Sequence, residues 1–141
     1  MSFERREREQ PRAPVYEKCE NFLRKLRSLK EAPAEDLVGY VADIGEDLAK
    51  KVKIAQLRKL LDAFEKVRSE VRMGKERINI REKTQPLKIH LAYAAGRQQA
   101  LKPLQGVLSE AIDKVNDEED FKKLSQFIEG LIAYHKFYGG D

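Results

Sequence analysis

Apolar residues recur along this chain at steps of three and four, the spacing that lays side chains along one face of an α-helix. The first such run predicts a helix from Val15 to Glu31, with Cys19, Phe22, Leu23, Leu26 and Leu29 on its apolar side. Pro33 stops it and can sit in the opening turn of the next helix. That second helix is expected from Glu35 to Lys50, carrying Leu37, Val38, Val41, Ile44 and Leu48, with Gly39 and Gly45 weakening it. The third run is the clearest, from Ile54 to Met73. At ~100° per residue, Ile54, Leu57, Leu60, Leu61, Phe64, Val67 and Val71 fall within one arc of about 140°. Gln56, Arg58, Lys59, Asp62, Glu65 and Lys66 lie outside it, and Arg72 falls at its edge.

Gly74 ends the third helix, and the stretch from Lys75 to Pro86 reads as a loop. It carries Lys75, Arg77, Arg81 and Lys83 and shows little apolar period. A fourth helix is expected from Leu87 to Leu101, broken or kinked at Pro103, and a fifth from Leu104 to Val115. A sixth, capped by Asn116 or Asp117, uses Phe121, Leu124, Phe127, Ile128, Leu131 and Ile132 and ends at Gly139-Gly140. No strand-like alternation and no short repeat competes with these helices. The expected fold is all-α: a compact bundle of five to six helices with a long basic loop around 74–86. Residues 1–14 offer no apolar face, so they are expected to be a charged, disordered arm preceding a single domain over 15–141.

Charge adds a partner to this picture. The formal net charge is only +4 over 141 residues, but it is unevenly spread. Between Lys50 and Lys102 stand 15 Lys/Arg against 5 Asp/Glu, and outside that window 13 against 19. A basic middle third between mildly acidic flanks suits a polyanion, although a solvated helix surface produces the same count. The single cysteine, Cys19, excludes an internal disulfide and reads as a small buried apolar residue. The charged N-terminus does not resemble a signal peptide, and no apolar run approaches the ~20 residues of a membrane span. The expected location is the cytoplasm.

Catalytic chemistry has little support. His90 and His135 stand apart, in no metal-ligand spacing, and there is neither a cysteine pair nor a Gly-rich phosphate loop. No metal or cofactor is expected. A metal-independent ribonuclease using His90 with Arg97 is the weakest of three readings. More informative is the stripe His90, Tyr93, Arg97 on the fourth helix, with Lys88 on another side of the same turn. An aromatic ring beside a guanidinium fork suits a sugar-phosphate backbone, whereas a helix–helix contact with Arg97 paired to an acid is the bland alternative. The third helix begins similarly: Lys50, Lys51 and Lys53 lead into Gln56, Arg58 and Lys59 at an end whose free N–H groups favour phosphate.

Three segments then carry a family likeness. Lys53-Ile54-Ala55-Gln56-Leu57-Arg58-Lys59 resembles a pattern of small polar pair, Gln, aliphatic residue, Arg, Lys. Leu91-Ala92-Tyr93-Ala94-Ala95-Gly96-Arg97 resembles Leu-Ala-Tyr-x-x-x-Arg, and Ala133-Tyr134-His135-Lys136-Phe137-Tyr138-Gly139-Gly140 resembles Ala-Tyr-His-Lys-Phe-x-Gly-Gly. Together, in this order, they resemble the small subunit family of type III-A CRISPR effector complexes, the Csm complexes, over residues 50 to 141. Two departures stand out: Ile54-Ala55 replaces the small polar pair, and no basic residue follows Gly-Gly, where Asp141 stands.

The resemblance implies a non-catalytic antiviral-defence subunit. Several copies would stack head to tail beside the guide-holding subunits, contacting the backbone of target RNA or the guide–target duplex without sequence readout. Its partners would be guide and target RNA, the other subunits of the effector, and further copies of itself. Whether the free protein is a monomer or a dimer, for instance by exchanging segments across 74–86, stays open. By position the resemblance implies RNA contact by Lys53, Gln56, Arg58, Lys59, Tyr93, Arg97 and Lys136; charge alone adds Lys88. The competing reading is a protein-interaction scaffold whose basic surface meets acidic neighbours.

Overall fold

Local sequence explains where most helices start and stop. The computed structural model describes residues 14–74 and 79–141. Pro14, whose missing N–H costs nothing at a helix start, opens α1 (Pro14–Arg24). The expected continuation to Glu31 does not occur. Ser28 is extended, and Leu29–Glu31 form a separate 3-10 turn. Two backbone donors that a continuous helix would use internally are taken elsewhere: Leu29 N–H donates to the Lys114 carbonyl at 2.8 Å and Lys30 N–H to the Asp120 carboxylate at 2.7 Å. Helix α2 (Ala34–Lys51) follows Pro33, and α3 (Ile54–Met73) ends at Gly74, whose φ of 53° is left-handed.

The expected loop around 74–86 needs correction. Residues 75–78 lie outside the described residues, but Ile80–Thr84 form a short helix, α4. Asn79 caps it, its side-chain oxygen accepting the Glu82 N–H at 3.1 Å, and Ile80 and Thr84 dock one turn apart on the core. After Pro86 comes α5 (Leu87–Arg97), which stops four residues earlier than expected because Gln98 is extended. A 3-10 turn, Gln99–Leu101, leads into α6 (Lys102–Asp113). Pro103 sits in the first turn of α6, where proline is tolerated, and therefore breaks nothing.

The last helix, α7 (Glu118–Phe137), is capped by Asp117, whose carboxylate accepts the Asp120 N–H at 2.9 Å. The reciprocal partner is Asp120, whose carboxylate accepts the Asp117 N–H at 3.3 Å. Its fully buried carboxylate also accepts backbone N–H groups from Asn116 at 2.8 Å and Lys30 at 2.7 Å. Asp120 thereby clamps the 3-10 turn after α1 to the α6–α7 junction.

Among the described residues the regular structure is helical and no strand is present. Leu23, Ile44, Leu48, Leu57, Leu91, Leu104, Leu108 and Leu131 belong to one continuous aliphatic core. The most extensive helix pair is α2 with α7. Val41 faces Gly130 and Gly45 faces Tyr134, so the two helices run parallel in constant register. A Cβ at Gly45 would lie 2.6 Å from the Tyr134 Cβ, and one at Gly130 would lie 2.9 Å from Val41 Cγ2. Both glycines are thus conditions of this close packing.

Candidate nucleic-acid interface

Helices α3 and α5 diverge to leave an open cleft of about 770 Å³ on the surface. Its floor is apolar, with Leu60, Leu87 and Leu101 buried and Ala63, Val67 and Ala94 partly so. Its rim carries Lys59, Lys66, Lys83 and Arg97 against Asp62 and Glu70, four cations to two carboxylates. Lys83 is spoken for by Glu70 at 3.0 Å. Lys59 and Lys66 form no ion pair among the described residues, and the nearest partner of Arg97 is the Tyr93 ring, 5.7 Å from guanidinium carbon to centroid. Tyr93 itself is 68% exposed.

The residues singled out from sequence divide into three groups. Gln56, Lys59, Tyr93 and Arg97 line the cleft together, with His90 beside them. Lys53, just before α3, and Arg58, on α3, do not line it. Lys53 is the residue before the first turn, and its backbone N–H donates to Gln56 Oε1 at 3.1 Å. The amide of Gln56 thus holds the residue that leads into α3. The same oxygen accepts from Gln98 Nε2 at 3.1 Å, so Gln56 ties the start of α3 to the end of α5.

Lys88 and Lys136 lie elsewhere. Lys88 turns away from the cleft and pairs with Asp113 on α6. That carboxyl's burial is outweighed by hydrogen bonds from Lys88 and Gln85 and by the charge of Arg81, which together hold it below the usual carboxylate range. Lys136 is exposed in the last turn of α7. Its neighbour His135 is fully buried, with Nε2 donating to the Val52 carbonyl at 2.6 Å at the α2–α3 junction. A carbonyl only accepts, so the Nε2 proton is fixed, and Nδ1 has no hydrogen-bond partner among the described residues. Gly140 covers the ring so closely that a Cβ there would fall 2.2 Å from Cε1. The His-Lys-Phe-x-Gly-Gly ending is thereby accounted for structurally: the glycine seals the histidine.

Sequence reasoning missed Lys66 and Gln98. Lys66 continues the α3 stripe of Gln56, Lys59 and Ala63 at steps of three and four, so its place was readable. Gln98 was not, because its role depends on α5 ending early. Among the described residues no group of three or more His, Cys, Asp or Glu could hold a metal ion, and no helix is long and apolar enough to cross a membrane.

Among the described residues, fold and surface together define an all-helical protein with a basic, aromatic-edged cleft between two helices. The sequence matches the family described as Csm2 Type III-A over residues 31–141. It is also 36% identical over 90 residues to a Streptococcus thermophilus protein described as CRISPR system Cms protein Csm2, covering 61% of this chain and 72% of that protein. The chain belongs to the Csm2 family, a subunit of the type III-A CRISPR effector, and its partners include the other subunits of the Csm complex.

Proposed function

We propose that this subunit is a non-catalytic RNA-binding component of the effector and that the α3–α5 cleft is its RNA-facing surface. Lys59, Lys66 and Arg97 meet phosphates, Tyr93 meets ribose or base, and Lys53 and Arg58 extend the positive strip along α3. Copies stack head to tail, an arrangement that builds an open array rather than a closed dimer. Sequence discrimination rests with guide–target pairing, since backbone contacts are driven by charge. The observation that carries this reading is convergence: four residues chosen from two separate sequence segments line one cleft, and among the described residues Lys59, Lys66 and Arg97 form no ion pair there.

The test is RNA binding over a salt series with several unrelated sequences. Arg97→Ala and Arg58→Ala should each weaken binding equally for every sequence and reduce the slope of log affinity against log salt by about one unit. A loss that depends on sequence, or no loss, counts against it. Binding that ignores salt favours a protein-interaction scaffold. RNA cut on prolonged incubation, in a manner abolished by His90→Ala, would replace the non-catalytic reading with a ribonuclease.

A further inference from the structure

The cleft has a property that phosphate binding leaves unused. A surface built only for phosphates would place donors across its whole face, because an anion set on apolar side chains loses water without compensation. Here the cations stand on the rim, and the floor is Leu60, Ala63, Val67 and Ala94. Tyr93 stands at the edge, largely exposed, with the Arg97 guanidinium near its ring. An apolar floor with a few polar groups at its margin and a volume of about 770 Å³ is the make-up of a site for a flat, partly apolar molecule. The positive rim requires that this molecule carry negative charge beside it. A nucleobase on a ribose-phosphate strand meets both conditions, since every base has a π-face that stacks on aromatic and guanidinium groups.

We infer that the cleft takes an unpaired nucleobase onto its apolar floor beside Tyr93 while the adjoining phosphates rest on Lys59, Lys66 and Arg97. This rests on the RNA-binding reading above and adds a base-sized subsite to it. The contact tolerates any base, because the floor offers stacking and apolar contact rather than a hydrogen-bond code. The Gln56–Gln98 amide pair closes one end of the subsite.

The experiment compares a short single-stranded oligouridylate with an abasic ribose-phosphate oligomer of equal length and charge, by fluorescence anisotropy at several salt concentrations. The abasic strand should bind about tenfold more weakly or worse, the scale of one lost stack, with the same salt slope. Tyr93→Phe should keep that difference and Tyr93→Ala should reduce it; both changes fall at an exposed position. Ala63→Leu, which fills the floor without changing charge, should abolish the difference and leave the slope intact. If both strands bind equally with the same slope, the base subsite is wrong and the backbone reading stands. If neither binds in a salt-dependent way, both fall. If a bulky side chain at position 63 leaves the base preference untouched in a folded protein, the floor is not where the base lies.

Discussion

Substituting Gly45 and Gly39 in the same helix should shift stability in opposite directions. A Cβ at Gly45 would lie 2.6 Å from the Tyr134 Cβ and 3.2 Å from the His135 backbone nitrogen. Carbon atoms pack at roughly 3.5–4.0 Å, so α2 and α7 would have to separate by about 1 Å at their tightest contact. Neither obstacle is the tip of a flexible side chain, so the strain spreads into the helix pair. Overpacking of this kind costs about 1–3 kcal/mol, against a helix-propensity gain of up to ~1 kcal/mol from replacing glycine. The expected net loss for Gly45→Ala is about 1–2 kcal/mol, or a melting point lower by roughly 4–8 °C in a domain of this size. At Gly39 an added Cβ meets nothing within 4 Å. Gly39→Ala should therefore stabilise by about 0.5–1 kcal/mol. Denaturant unfolding followed by far-ultraviolet circular dichroism measures both. If the two variants are stabilised alike, the α2–α7 contact is not as close as described, and the argument for the paired glycines fails.

Three further outcomes follow from the same contacts. Lys88→Ala should leave RNA affinity and its salt slope unchanged while lowering stability modestly, because Lys88 serves Asp113 and not the cleft; a slope change matching that of Arg97→Ala would contradict this. The Lys30 ammonium and the Asp120 N–H hold the Asp117 carboxyl below the usual carboxylate range. A folded-state value below the unfolded one contributes stability above the ordinary carboxylate value, and that contribution is lost as pH falls through the lower, folded one. Urea midpoints should therefore drop below about pH 4, and Asp117→Asn, which keeps a capping oxygen without the charge, should flatten that drop. Burial, with Glu20 nearby, pushes the Cys19 thiol up to about 12, so native protein at neutral pH should resist a thiol-specific reagent that labels the unfolded chain fully. Rapid labelling in the absence of denaturant would show that α1 opens readily.

The helices themselves were legible because their apolar period is strong: α3 runs from Ile54 to Met73 as its pattern predicts. The failures lie where tertiary partners override local pattern. Nothing within residues 25–31 says that Leu29 and Lys30 will bond to Lys114 and Asp120, some 85–90 residues away, and so divide a helix. The helix Ile80–Thr84 is too short to show a period, although Asn79 with Glu82 three residues on was a readable start signal. Half of the eight residues marked for RNA contact line one cleft because their spacing placed them on the facing sides of two helices. Lys88 was chosen for its charge alone, and charge does not reveal which way a side chain turns. The apolar floor of the cleft was also hidden, since Val67 read as an ordinary core position and Ala63 and Ala94 gave no signal of their own.

The parallel course of α2 and α7 has a consequence for synthesis. Two parallel helices cannot be joined by a tight turn, and here the partner of the second helix is made only after α3 to α6. Until then Leu37, Val41, Ile44 and Leu48 on α2 lack their principal cover. The nascent chain therefore carries an unmatched apolar face while residues 52–117 are made, the kind of interval in which chaperones act and aggregation begins.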